Sequence, residues 1–145
     1  MLKRISCLTM VLLLLFSFAV FAAPQTLPAD ISSTTWGILT VTNPSESFIT
    51  SYDKVHNISG YASNGVNISI YTKTGSGYSL LYRNGAPLSF NVGASGMFVQ
   101  PVSLGYGKNS LVIRAELNGQ VQYVLRTVTV LSSNILNLIN GFSLF

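Results

Sequence analysis

The stretch from Gly93 to Glu116, GASGMFVQPVSLGYGKNSLVIRAE, constrains the fold of this chain more than any other. Ser95-Gly96 supplies a turn in which glycine takes a positive φ without steric cost. Phe98, Val102 and Leu104 then fall on one phase of a period-2 strand, so their side chains share a face. Gly105-Tyr106-Gly107-Lys108-Asn109 reads as the closing turn of a hairpin, with an Asn109 amide that can bond nearby backbone. Beyond it, Leu111, Ile113, Ala115 and Leu117 alternate with Val112, Arg114, Glu116 and Asn118. That is an apolar-in, polar-out strand with Val112 as its exception. Turn, strand, turn, strand is the repeating unit of antiparallel β-structure.

The flanking residues extend the pattern. Trp36 to Thr42 reads as a strand stopped by Asn43-Pro44, and Phe48 to Thr50 continues it after a kink. Val55 to Ala62 is the next, ended by Ser63-Asn64-Gly65. Val66, Ile68 and Ile70 then alternate with Asn67, Ser69 and Tyr71. Gly75-Ser76-Gly77 turns into Tyr78 to Arg83, Asn84-Gly85 turns again, Leu88 to Val92 follows, and Val121 to Leu131 closes the series. Seven to nine short strands, with no helical pattern before residue 132, predict one all-β domain, an antiparallel β-sandwich.

The run of small-Gly-x-Phe, Val and Leu in phase, Gly-x-Asn and an alternating strand resembles bacterial immunoglobulin-like domains. It is most similar to those of secreted glucodextranases and other multidomain exoproteins, over about Thr34 to Leu131. The resemblance implies an immunoglobulin-like sandwich that serves as a spacer, adhesion or accessory module. Two departures bear on one strand. Gln100 occupies the inward phase beside Phe98, and Pro101 interrupts the ladder, which predicts an edge strand or a bulge there.

Lys3 and Arg4 precede an apolar run from Val11 to Phe21, and Val20-Phe21-Ala22 puts small residues at −3 and −1. Residues 1–22 therefore read as a secretory signal peptide cut after Ala22. An uncleaved anchor is the alternative, from a run that is short for a membrane span. Residues 23–33 read as a loose leader and 34–131 as the sandwich. The expected product is secreted or associated with the cell surface, without stable membrane insertion after cleavage. It keeps Lys54, Lys73, Arg83, Lys108, Arg114 and Arg126 against Asp30, Glu46, Asp53 and Glu116, six against four, a net charge of +2. The basic residues are dispersed, which argues against nucleic acid as a partner.

Charged side chains are 8% of the chain, against about 25% in an ordinary soluble domain. The surface must be built from Ser, Thr, Asn, Gly and Tyr, with few charges to blunt exposed strand edges. Cys7 leaves with the signal, so no disulfide is expected. After Arg126 no charged side chain follows. In the tail, residues 132–145, Ile135, Leu138, Ile139 and Phe142 recur at i, i+3, i+4 and i+7, which predicts a short amphipathic helix capped by Ser133 and Gly141. Such a helix packs over one open end of its own sandwich or docks a partner or a second copy. Its polar face has no Lys or Arg to favour a membrane surface.

Catalysis finds little material. His56 is the one histidine, with Asp53 three residues before it, but Gly93-Ala94-Ser95-Gly96 is one residue short of a nucleophile elbow. A glycosidase pair would have to come from Asp30, Glu46, Asp53 and Glu116, which read as solvated carboxylates. One His and no mature Cys exclude an ordinary zinc site, and no cofactor motif is complete. Neither an enzyme nor a cofactor is expected. Trp36 and seven tyrosines offer flat amphipathic side chains instead. Tyr71, Tyr78 and Tyr82 form an expected stacking platform if their strand phases face outward. The reading is a binding or adhesion module for cell-wall or extracellular polysaccharide. The alternative is a structural or assembly subunit that meets an envelope protein, an extracellular protein or its own copy through the tail.

Overall fold

The computed structural model describes residues 22–132. Apart from Ala22 and Ser132, the expected signal peptide and the expected amphipathic tail with Ile135, Leu138, Ile139 and Phe142 lie outside the described residues. Twelve strands and no helix occur among the described residues: β1 (Thr26–Leu27), β2 (Leu39–Asn43), β3 (Phe48–Ser51), β4 (Val55–Ala62), β5 (Asn67–Thr74), β6 (Gly77–Leu80), β7 (Tyr82–Arg83), β8 (Ala86–Pro87), β9 (Ser89–Asn91), β10 (Met97–Ser103), β11 (Gly107–Leu117) and β12 (Gln120–Val130).

A seven-stranded sheet runs β1-β6-β5-β11-β12-β3, with β9 also paired to β5. A three-stranded sheet runs β10-β4-β2, and β7-β8 is a separate small hairpin. All pairings are antiparallel except that of β3 with β12. The alternation seen in the sequence decides which side of each sheet is buried. Ile68 and Ile70 of β5, Leu111, Ile113 and Ala115 of β11, and Val124, Val128 and Val130 of β12 share one core. Leu39, Val41, Ile58, Phe98 and Val102 of the smaller sheet complete it from the other side. The architecture is thus all-β, with two sheets facing across one apolar layer.

Two local expectations are corrected. Gly105 to Asn109 does not close a hairpin, because β10 pairs with β4 while β11 pairs with β5 and β12. The segment carries the chain from the small sheet to the large one. Its turn chemistry is nevertheless the expected kind: Asn109 Oδ1 accepts from the Gly105 N–H at 3.1 Å, and Nδ2 donates to the Gly105 and Gly107 carbonyls at 2.8 and 2.9 Å. Phe48 to Ser51 does not continue the first strand within one sheet. It crosses to the large sheet and pairs parallel with the end of β12, Thr127 facing Phe48 and Val130 facing Ser51.

Pro101 sits where its missing N–H does least harm. β10 is an edge strand with unbroken register to β4 from Met97–Tyr61 to Ser103–Val55. The Ala62 N–H donates to the Gly96 carbonyl at 2.8 Å, so by alternation the even-numbered residues of β10 turn their polar groups toward β4. Pro101 is therefore on the open side, where proline costs no ladder bond and blunts the edge.

The two sheets are also joined by polar side chains. Gln122 of β12 is 4% exposed and points into the layer between them. Its Oε1 accepts from the Ile38 and Leu39 N–H groups at 3.1 and 3.0 Å, and its Nε2 donates to the Leu39 carbonyl at 2.9 Å. One strand turn away, Arg126 Nε donates to the Pro44 carbonyl at 2.7 Å and Nη2 to the Val41 carbonyl at 3.3 Å. Replacing Gln122 with Leu keeps the volume but leaves two buried donors and one acceptor unpaired, at about 1–3 kcal/mol for each such group. Gln122→Leu is expected to lower unfolding stability by about 3 kcal/mol or more. Urea denaturation followed by tyrosine and tryptophan fluorescence measures it.

Candidate functional site

Trp36 is displayed by restraint on either side of it. Before it, the Thr34 N–H donates to the Tyr123 carbonyl and the Tyr123 N–H donates to Thr34 Oγ1, both at 2.9 Å. After it, Gln122 holds the amides of Ile38 and Leu39. Between these restraints Gly37 takes φ 77°, a left-handed conformation that a side chain would strain. The indole is left 63% exposed rather than half-buried on a strand, which begins only at Leu39.

Beside the indole the long β11–β12 hairpin turns at Asn118-Gly119, with φ 50° and 81°, the conformation in which Asn-Gly is favoured. A depression of about 260 Å³ lies between Trp36 and Gly119 to Val121. A second, of about 390 Å³, is lined by Gly65, Asn67, Glu116, Leu117, Asn118 and Gly119. The two linings share Gly119: Trp36 lines the first with the start of β12, and Asn67 and Glu116 line the second with the start of β5 and the end of β11. Glu116 is on the outward phase that its alternation requires, but its carboxylate is not loosely solvated. Arg114 Nη2 holds Oε2 at 2.6 Å, with side-chain exposures of 9% and 24%. Arg114 Nε and Nη1 are buried without a hydrogen-bond partner. Asn67 is fixed too: its Nδ2 donates to Asn91 Oδ1 at 3.0 Å, and its Oδ1 accepts from Ser69 and Ser89 at 3.3 and 3.2 Å.

A flat exposed indole can stack on the apolar face of a ring, and an oriented carboxylate and amides, which line the depression that shares Gly119 with it, can bond hydroxyl groups. The lining holds one carboxylate, not the facing pair that glycoside hydrolysis uses. Asp53 is at the far end of the sheets, on the connection after Ser51, with its N–H on Ser51 Oγ. His56 lies on β4, its Nε2 buried without a hydrogen-bond partner. Among the described residues no group of His, Cys, Asp and Glu is placed to hold a metal. A larger depression, about 490 Å³, opens at the Asp53 end between β5 and β11, but its lining of Lys73, Lys108, threonines, Ser110, Asn109 and Gly75 has no aromatic ring or acid. The chain matches no protein-family model and no curated protein sequence.

The expected tyrosine platform is covered. Tyr71 and Tyr78 are 0% and 5% exposed, and only Tyr82, at 51%, reaches solvent. The phase of Tyr71 is outward from the main core, as read, yet the leader lies on it. Residues 23–33 are not loose. Leu27 of β1 pairs with Tyr78, Tyr71 Oη donates to the Pro24 carbonyl at 2.9 Å, and Tyr82 Oη donates to Gln25 Oε1 at 2.6 Å. The leader then crosses the sheet, with Ile31 packed on the cluster of Leu27, Tyr71, Tyr78, Leu80 and Val112, and Ser33 Oγ accepts the Leu125 N–H at 3.0 Å. This second core explains Val112, the apolar residue out of phase. Trp36 lines a depression at the β11–β12 turn, which none of the three tyrosines lines. The one signal in the sequence for this place is Asn118-Gly119, a hairpin dipeptide that fixes where β11 ends.

Burial raises the Tyr71 phenol from 10 up to about 12, against the pull of the nearby Arg114 guanidinium. The folded chain thus holds that proton more tightly than the unfolded chain. The contribution is complete below pH 10 and is lost as pH rises toward 12, by about 2–3 kcal/mol in all. Tyr71→Phe is expected to remove this part of the alkaline decline. Urea midpoints for both proteins between pH 9 and about 12 test it, and parallel declines would refute it.

Proposed function

We propose that the chain is an exported, non-catalytic binding module with an immunoglobulin-like β-sandwich, acting outside the cell or at its surface on polysaccharide. Two sheets facing across one core support the family resemblance, since that is the layer architecture of such sandwiches. The observation that carries the binding role is the exposed Trp36 indole in a depression at the β11–β12 turn, whose lining shares Gly119 with a second depression that holds Glu116 and Asn67, each fixed by its own side-chain bonds. Side chains fixed before a ligand arrives lose little entropy when it binds. The shelf suits an uncharged sugar: the carboxylate is compensated by Arg114, so the site offers acceptors and donors without a net field.

Co-sedimentation of the exported protein with purified cell walls and insoluble neutral polysaccharides tests this reading. Saturable binding is expected. Trp36→Ala, which removes an exposed side chain, is expected to weaken it at least about tenfold, or about 1.4 kcal/mol. Tyr82→Ala is expected to leave it unchanged. Binding that survives Trp36→Ala, or no binding to any of these materials, would refute the assignment.

A further inference from the structure

The small sheet has two edges, and only one of them is closed among the described residues. At β2 the outward backbone groups are taken by side chains of the large sheet: Gln122 bonds the Leu39 N–H and C=O, and Arg126 Nη2 donates to the Val41 carbonyl. At β10 no described strand pairs on the side away from β4. The backbone groups of Met97, Val99 and Ser103 point off this edge, by the alternation that turns the even-numbered residues toward β4. The Met97 N–H donates to Ser95 Oγ at 3.3 Å, a long bond, and Gln100 Nε2 donates to the Pro101 carbonyl at 3.3 Å. Val99 has neither its N–H nor its C=O bonded among the described residues. β1 and β3, which end the large sheet, have two and four residues, whereas β10 has seven. From Asn84 to Gly107 the chain carries no charged side chain. A long, uncharged open edge is a template for another strand.

What fits such an edge is an extended backbone, and this edge is complementary to itself. Let two β10 strands run antiparallel about a twofold axis, with Met97 of one opposite Val99 of the other. Each outward pair then exchanges both of its N–H···O bonds, and the two Phe98 residues meet at the axis. Pro101 falls opposite Ser95, before the partner's strand begins, so its missing N–H is not needed. With Val99 opposite Val99 instead, Met97 would face Pro101, which has no N–H to give and whose carbonyl Gln100 already holds. Pro101 thus selects the register. The outward side chains agree with it. Tyr61 and Met97 are opposite one another in the sheet, and Val99 of the second copy extends their row. Tyr61, Met97 and Val99 are 54%, 58% and 63% exposed, apolar surface that this pairing draws together.

We propose that two copies of this chain pair antiparallel through β10, Met97 of each opposite Val99 of the other. Their three-stranded sheets then join into one that runs β2-β4-β10-β10-β4-β2. Such an interface is isologous and closes on two copies, since each β10 has one open edge. It does not rest on the sugar-binding reading, because Trp36, Gly119, Gln120 and Val121 line that depression and no residue of β10 does.

Sedimentation equilibrium of the exported protein over a range of concentrations is expected to give twice the monomer mass at the upper end. Val99→Pro removes the N–H that would donate to the second copy, at a position where the chain's own ladder uses none. Val99→Lys puts a charge on the joined face. Each is expected to raise the dimer dissociation constant at least about tenfold, while Ser103→Lys on the same edge leaves it unchanged. Urea midpoints at dilutions where all are monomeric are expected to agree, which separates lost pairing from lost folding. With Cys7→Ser throughout, a mixture of Met97→Cys and Val99→Cys chains is expected to form a disulfide-linked dimer faster than either chain alone. A monomer at every concentration would overturn the proposal, as would a dimer indifferent to Val99→Pro. Val99→Cys chains that cross-link among themselves faster than the mixture would overturn the register.

Discussion

Three hydrogen bonds from one buried amide hold the two sheets in register. Dispersion and apolar burial press the sheets together but do not fix how far one slides along the other, since such forces have little direction. Gln122 supplies the direction. It reads both donor and acceptor of the strand entering the small sheet, so a one-residue slip of β2 would strand its partners inside the core. Arg126 repeats the device nearer Pro44. Because the same clamp ends the excursion that begins at Thr34, the display of Trp36 follows from the way the sheets are joined.

The leader gives the large sheet a second apolar layer. Ordinary two-layer packing leaves the outer side of a sheet to water, yet Tyr71 and Val112 on that side are fully buried. A strand at one edge, a crossing segment and hydroxyl contacts at the other edge accomplish this with few residues. Its polar ends are satisfied by Pro24, Gln25, Ser33 and Thr34, which bond tyrosine hydroxyls and strand amides. Few exposed charges are needed on a face that is closed in this way.

Much of the fold was legible because period-2 alternation reports burial directly: Phe98, Val102, Leu111, Ile113 and Ala115 are inside as their phase requires. Sheet membership was not, because the loop at Gly105 to Asn109 has the composition of a hairpin turn whether its strands pair or part. Val112 was the clue to the leader, but one apolar residue out of phase does not say what covers it. The same ambiguity misplaced the tyrosines, since an outward phase means solvent only where no other segment returns. The Trp36 recess was hidden for a different reason. It is made by the approach to β2, the Asn118-Gly119 turn and the start of β12, brought together by pairings that no local pattern encodes.

The position of the leader has a consequence for the order of folding. Ser33 meets Leu125, 92 residues later in the chain, and Thr34 meets Tyr123, 89 residues later. During synthesis the leader precedes every strand on which it lies. Its two ends have no complete docking surface until β6 and then β12 exist, and closing loops of that size is slow compared with forming hairpins. The earliest residues of the domain are thus the last to be placed. Until then Tyr71 and Val112 face water, and the nascent sheet offers to any chaperone the apolar strip that the finished protein conceals.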